Sequence, residues 1–403
     1  MLPPWPHATE KDRRALLEVL DSGQWCRVGA GKGGWSRVDA FDGEFAKFQD
    51  AKHGVSVANG TVALELALRA MGIGSGDEVI VPALTFIASA TCATEVGAVP
   101  ILVDCDHDTG TVSASSIEEA ITERTRAVVL PAYHGYPPDF DAILPIARKN
   151  NLKVLEDAAT GVGTEWKGRR IGAMGDMGTF SFQQAKLITS GEGGIVLTND
   201  DKLAETARLI QNIGRVHGPL VNDFLITSSN YRMTEFQGAL LLSMLEDLPP
   251  QLELKRRNGE YLADQVEKID GIKTQKRDPR VKFSRYKFIM RYDQTAFGGI
   301  TKERFIEALR AEGVGVDERA AKLIYRQTAF ATGALGTTLP KGLKLPDYAG
   351  MFLPNSEALL KEEIMLGHTY MAVDKSGLDM IVASIEKIKT NVDELKVAPS
   401  IKR

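Results

Sequence analysis

The chain has 403 residues, 43% hydrophobic and 25% charged, with a formal net charge of −4. That length exceeds one ordinary core and implies two domains of globular composition. Slight acidity without a Lys/Arg-rich face excludes a nucleic-acid footprint, and three scattered cysteines (Cys26, Cys92, Cys105) exclude a disulfide framework. The longest apolar tract, around Val79 to Ala93, is broken by Pro and Thr, and no long apolar run opens the chain. Neither a membrane span nor a secretory leader is therefore expected, and the expected compartment is the cytoplasm.

Short apolar runs at 55–58, 78–81, 99–104, 127–131, 153–156, 177–182 and 194–198 read as strands. Helix-period segments lie between and after them at 62–71, 86–96, 115–120, 141–150 and 202–212. This alternation predicts an α/β fold whose seven-stranded, mostly parallel sheet is covered on both faces. The segment VALELALRAM is apolar nearly all round, as suits a helix buried against a sheet or a second subunit. Beyond residue 200 a helix at 233–245 is expected to end at Pro249-Pro250, where two successive residues lack amide donors. A second helix follows at 252–269, then extended SRYKFIMRYD, a helix at 302–312, a turn-rich passage to Pro354 and a last helix at 378–395. The expected division is an N-terminal segment and large domain over 1–260 and a smaller α+β domain over 261–403.

Three short stretches carry chemistry. Asn59-Gly60-Thr61 sits between a strand and an apolar helix, where free amide donors and the positive dipole end suit a phosphate. It reads equally as a plain strand–turn–helix junction with a capping threonine. LEDAAT places Asp157 at a strand end, the edge of an α/β sheet where ligands collect; a metal-binding acid or a helix N-cap remain alternatives. In SFQQAKLITSGEGG, Lys186 follows a strand and precedes a glycine-rich turn. A lysine and a carboxylate at two strand ends are what a pyridoxal phosphate (PLP) enzyme needs. The amine bonds the aldehyde, and the acid keeps the ring nitrogen protonated. A solvated loop lysine is the bland alternative.

Other chemistries find little support. The glycine run at 29–34 has Gly33 where a phosphate-binding loop needs Ser or Thr, and the run after Lys186 precedes a strand instead of a helix. The six histidines (His7, His53, His107, His134, His217, His368) show no metal-ligand spacing, so no metal is expected, and no G-x-S-x-G elbow is present.

Taken in order, ANGTVALELAL, DEVIVPALTFIASA, EDAATGVGTEWKGRRIG, GTFSFQQAKLITSGEGGIV and NYRMTEFQGAL resemble the DegT/DnrJ/StrS family of sugar and cyclitol aminotransferases. The resemblance extends from GQWCRVG to the C-terminal PNSE…H segment and IVASIEKI. It implies a fold-type I PLP-dependent transferase. Lys186 then matches the Schiff-base lysine and proton shuttle, Asp157 the partner of the pyridine nitrogen, and Phe86 the aromatic stacked on the ring. Gly60, Thr61 and Ser181 match phosphate contacts, and Asn230 a residue reaching the phosphate of the neighbouring subunit, which implies a homodimer with shared sites.

Three positions depart from the family pattern. Thr160 stands where Gln or His usually contacts the cofactor. Gln183 replaces a histidine, as is more familiar in the branch acting on cyclitols and aminohydroxybenzoate precursors. PAYHG is one residue short of the usual motif, so His134 has no family equivalent. Both Thr160 and Gln183 are retained as cofactor-side candidates. Arg232, Tyr286, Tyr325 and His368 are substrate-side candidates by residue type, able to bond hydroxyls or carry charge.

The implied reaction moves an amino group from glutamate or glutamine to a keto-sugar nucleotide or a keto-cyclitol. A sugar dehydratase of the same fold carries histidine in place of the lysine, so Lys186 opposes it. A PLP-binding regulator without turnover is the other rival.

Overall fold

The structure, a computed structural model, describes residues 2–27, 36–216, 223–316, 322–336, 338–340 and 342–397; the glycine run at 29–34 and His217 lie outside the described residues. Two helices, α1 (Glu10–Ser22) and α2 (Arg37–Phe48), precede the first element the sequence alternation predicts. Thr9 and Asp12 form a reciprocal capping box on α1, and Ser36 caps α2. Strand and helix then alternate: β1 (His53–Val57), α3 (Gly60–Ala70), β2 (Glu78–Pro82), α4 (Ala88–Glu95), β3 (Val99–Val103), α5 (Ala114–Ala120), β4 (Thr125–Pro131), α6 (Phe140–Lys149) and β5 (Lys153–Asp157). A short hairpin, β6 (Glu165–Trp166) and β7 (Arg169–Arg170), leads to β8 (Met177–Ser181), β9 (Gly194–Thr198) and α7 (Asp201–Gln211).

The seven expected strands form one sheet in the order β1-β9-β8-β5-β4-β2-β3. β2 pairs in parallel with β3 and β4, as do β4 with β5 and β5 with β8. β9 runs antiparallel to both β1 and β8. Residues 182–193 join β8 to β9 without a helix, and a parallel neighbour would need a crossover connection. β2, β8 and β9 are buried along their whole length, which is why they read as short, mostly apolar runs. One core fills the face under α3 and α4; the other lies between the sheet and α2, α6 and the long helix that follows.

That helix, α8 (Glu235–Val266), overturns the break expected at Pro249-Pro250. A proline inside a helix costs about 3 kcal/mol or more through its missing amide and its clash with the preceding turn. Here Glu246, Asp247, Pro249 and Pro250 all face solvent, so water can take the Glu246 carbonyl that Pro250 leaves without a donor. The opposite face buries Leu241, Leu245, Leu248 and Leu252, each worth roughly 1.5–3 kcal/mol, and that continuous stripe against α1 and α2 outweighs the defect.

The remaining elements are β10 (Ile272–Thr274), β11 (Val281–Lys282), β12 (Lys287–Tyr292), α9 (Lys302–Ala311), α10 (Thr328–Ala331), α11 (Pro354–Glu362), β13 (Glu363–Gly367), α12 (Lys375–Thr390) and α13 (Val392–Val397). β10, β12 and β13 form an antiparallel sheet with its own core, to which α9 and α12 contribute. The division between 1–260 and 261–403 stands as a proposal, and two features cross it. α8 spans the boundary, and Ile324, Tyr325, Phe330 and Tyr348 pack into the α3-side core of the large sheet.

Candidate active site

β1, β5 and β8 end on one edge of the large sheet, where β9 begins: Val57 and Ser181 both pair with Gly194. This is the edge where open α/β sheets collect ligands. At the turn from β1 to α3, the Asn59 side chain accepts the Val62 amide at 3.0 Å, and the Asn59 carbonyl accepts that of Ala63. The amides of Gly60 and Thr61 are then left without an acceptor inside the helix. A Cβ on Gly60 would lie 2.6 Å from Ser181 Cβ, and one on Gly194 would lie 2.5 Å from the Asn59 carbonyl carbon. Two glycines thus let the helix start close over the ends of β8 and β9. The result is a turn of free amides beside the Ser181 hydroxyl, of the polarity a phosphate needs.

Asp157 ends β5 and is 8% exposed. Ser89 Oγ donates to its Oδ2 at 2.6 Å, and the Ala159 amide to its Oδ1 at 3.2 Å. Burial raises the carboxyl above its usual range, while these hydrogen bonds and the charge of Lys186 pull the other way. Among the described residues the carboxylate has no ion-pair partner, so a protonated heterocycle nitrogen fits it. Ser89 escaped the sequence reading. Its signal was its place one helical turn after Phe86 in PALTFIASA, and Thr85 Oγ1 lies 3.1 Å from its hydroxyl.

Lys186 stands in a turn tied at both ends. The Phe182 amide bonds the Gly193 carbonyl at 2.8 Å, and the Lys186 amide bonds the Gln183 carbonyl at 2.8 Å. Gln183 Oε1 accepts the Ala185 amide at 2.8 Å, so this side chain braces the turn that presents the lysine. Trp5 Nε1 donates to the Gln184 carbonyl at 2.9 Å, bringing the N-terminal segment onto the same turn. Burial, opposed by Asp157 and aided by Lys287, lowers the Lys186 pKa to about 8. A half-buried amine of that kind reaches its neutral, nucleophilic form near neutral pH.

Two of the four substrate-side candidates gather around this lysine. Lys186 Nζ lies 5.0 Å from the Tyr286 ring centroid, and Tyr286 stacks on His368 with centroids 6.1 Å apart. Burial, with Lys255 and Lys287 behind it, pushes the His368 pKa down to about 3, so the imidazole is neutral. Tyr325 is placed elsewhere and is a correction: it is fully buried in the core. Its hydroxyl donates to Glu357 Oε1 at 2.9 Å and accepts the Leu353 amide at 3.3 Å, because the short turn at Ile324–Arg326 directs the ring inward. Arg232 donates to Asn212 Oδ1 at 3.1 Å, and the exposed Asn230 accepts the Arg232 amide at 3.1 Å.

Thr160 spends its hydroxyl on the chain after β4. It donates to the Ala132 carbonyl at 2.5 Å and accepts the Gly135 amide at 3.1 Å. This holds His134 and Gly135 at φ of 52° and 98°, the left-handed pair that lets the shortened PAYHG segment turn. Phe86 follows β2 and leaves 73% of its surface open, which suits a ring awaiting a flat partner. The phosphate cradle, an unpaired buried carboxylate, an open aromatic face and an activated lysine together fit pyridoxal phosphate.

Comparison with known proteins agrees. Residues 6–386 match the DegT/DnrJ/EryC1/StrS aminotransferase family. The chain is 34% identical over 404 residues to an L-glutamine:2-deoxy-scyllo-inosose aminotransferase from Micromonospora echinospora, covering 98% of this chain and 96% of that one. It is 43% identical over 252 residues to a GDP-perosamine synthase from Caulobacter vibrioides, covering 62% and 66% of the two chains. The crystal structure of a 3-amino-5-hydroxybenzoic acid synthase superposes with a TM-score of 0.86 at 33% identity, covering 96% of this chain and 98% of that one. With the family matched over nearly the whole length, the chain belongs to the DegT/DnrJ/EryC1/StrS aminotransferase family and is an aminotransferase with pyridoxal phosphate as its cofactor.

Proposed function

We propose that this aminotransferase takes the amino group of glutamine and delivers it to the ketone of a polyhydroxylated ring, a keto-cyclitol. The observation that carries the catalytic half is the placement of Lys186 and Asp157 on one sheet edge, the first with its pKa lowered to about 8 and the second buried without an ion pair among the described residues. For the acceptor, the supporting facts are the near full-length similarity to a glutamine:keto-cyclitol enzyme and the neutral His368 stacked on Tyr286 beside the lysine. Neutral hydrogen-bonding side chains suit ring hydroxyls. A keto-sugar nucleotide is the second reading, favoured by the 43% identity to GDP-perosamine synthase over 252 residues.

In this reading the amides of Gly60 and Thr61 and the Ser181 hydroxyl hold the phosphate, and Phe86 covers one face of the ring. Asp157, kept in place by Ser89, holds a proton on the ring nitrogen. The bound cofactor supplies an aldehyde that takes up the amino group and a cationic ring that draws electron density. Lys186, its amine partly neutral near neutral pH, would hold the aldehyde end of the cofactor and would take up and return a proton at Nζ.

The proposed assembly is a cytoplasmic homodimer in which Asn230 reaches the neighbour's phosphate; the exposed Asn230 and the open apolar side chains of Phe224, Leu225 and Ile226 support it. None of the described helices is long and apolar enough to cross a membrane.

The test loads the protein with pyridoxal phosphate and supplies glutamine labelled with ¹⁵N at the α-amino group, with a keto-inositol or a keto-sugar nucleotide. Label in the cyclitol product, abolished in Lys186→Ala, is the expected outcome. Label found only in the sugar product moves the acceptor to the second reading, and label in neither refutes both.

A further inference from the structure

A cavity of about 300 Å³ lies beside the Lys186 turn, with Leu187 and Ile188 in its wall. Pro4 and Trp5 from the N-terminal segment, Leu187, Met244, Lys255 and His368 are among its walls; Lys186, Asp157 and Tyr286 are not. Lys255, on α8, is 4% exposed and makes no ion pair among the described residues. Its ammonium lies 5.9 Å from the centroid of the Trp5 ring. The nearby acids are already engaged: Asp12 accepts from Thr9 and Ser243, and Asp247 from Lys11 at 2.8 Å. His368, 5% exposed, leaves Nδ1 buried without a hydrogen-bond partner.

A buried ammonium without a counter-charge is costly, and the cost persists only where something compensates it. Burial alone lowers the Lys255 pKa to about 8, so much of the charge is still present near neutral pH. Asp12 and Asp247 also line the cavity, each held by the partners just named; Lys255 is its one lysine or arginine, and just over half of the other walls are apolar. One positive charge at the side of a flat indole calls for a monoanion with an apolar body. A phosphate would want further cations or a run of free amides.

We infer that this cavity is a binding site for a small carboxylate with a flat apolar body, the carboxylate on Lys255 and the body against Trp5. The site shares His368 with the reaction site but is not lined by Lys186, Asp157 or Tyr286, and it does not rest on the proposed acceptor. It is linked to the lysine turn by two contacts: Trp5 Nε1 on the Gln184 carbonyl, and Leu187 in the cavity wall. Occupancy therefore steadies the segment that presents Lys186.

The test uses the holoenzyme and sodium benzoate, followed by calorimetry and by tryptophan fluorescence, with benzamide as the uncharged control. Benzoate is expected to bind once per chain, benzamide at least ten-fold more weakly. Lys255→Met, which removes a buried charge and is expected to fold, weakens benzoate binding ten-fold or more, and Lys255→Gln does the same. Saturating glutamine leaves the binding in place. Undiminished binding in both variants, equal binding of benzamide, or competitive displacement by glutamine overturns the inference. Displacement by glutamine would put benzoate in the reaction site and leave the amino-transfer reading intact.

Discussion

The rate at which the cofactor-free protein captures pyridoxal phosphate is expected to follow the titration of Lys186. With its pKa at about 8, roughly 9% of the amine is neutral at pH 7, against about 0.03% for an unperturbed lysine at 10.5, a ratio of roughly 300. Only the neutral amine attacks the aldehyde, so the second-order rate should climb about ten-fold per unit at low pH and level off beyond about pH 8.5. Stopped-flow absorbance of the bound cofactor, read between about pH 6 and 10, measures this.

Two variants test the causes. Lys287→Gln removes a repelling charge and moves the midpoint up; Asp157→Asn removes an attracting one and moves it down. A rate that keeps rising ten-fold per unit to pH 10 refutes the reasoning, since it would mean an ordinary, solvated lysine. The same shift has a sign for stability. Between about 8 and 10.5 the unfolded chain holds the proton that the folded chain releases, so the cofactor-free fold gains stability as pH rises through that window. Below about 8 the penalty is complete.

Phe86→Ala should leave the melting temperature nearly unchanged, because the ring is 73% exposed, yet weaken cofactor affinity about two- to ten-fold, the worth of roughly 0.5–1.5 kcal/mol of stacking. A collapse in stability with unchanged affinity would assign the ring to packing instead. Tyr325→Phe should cost about 1–3 kcal/mol in chemical denaturation by leaving the Leu353 amide and Glu357 short of a partner, with kcat and KM unmoved. A selective rise in acceptor KM would return this residue to the substrate side. Glu363 is 5% exposed and accepts the Tyr133 hydroxyl; burial pushes its pKa to about 7, against the opposing Tyr133 bond and Lys302. The folded state therefore binds the extra proton between about 4.5 and 7, and stability falls as pH rises through that window, by no more than about 3 kcal/mol. Glu363→Gln should flatten that decline in melting temperature, and an unaltered slope would show that the group titrates normally.

The sequence alone carried the sheet and the chemistry because both are written in short stretches. Short, mostly apolar runs marked all seven strands, as suits a largely buried sheet, and Gly60 stood out in its strand–turn–helix junction, where a Cβ would lie 2.6 Å from Ser181 Cβ. Lys186 and Asp157 were legible because Asp157 ends its strand and Lys186 stands in the turn that follows another. What depends on distant residues was not. The helix through Pro249-Pro250 exists because its buried leucines meet α1 and α2 while its proline turn faces water, and local backbone preference argues the reverse. Ser89 reaches Asp157 across 68 positions of chain, Tyr325 turns inward because Glu357 and Leu353 take its hydroxyl, and Lys255 becomes a buried, unpaired charge only once the N-terminal segment folds over it. Local spacing sets which groups stand at a strand end; long-range packing sets what they touch and how far water is kept from them.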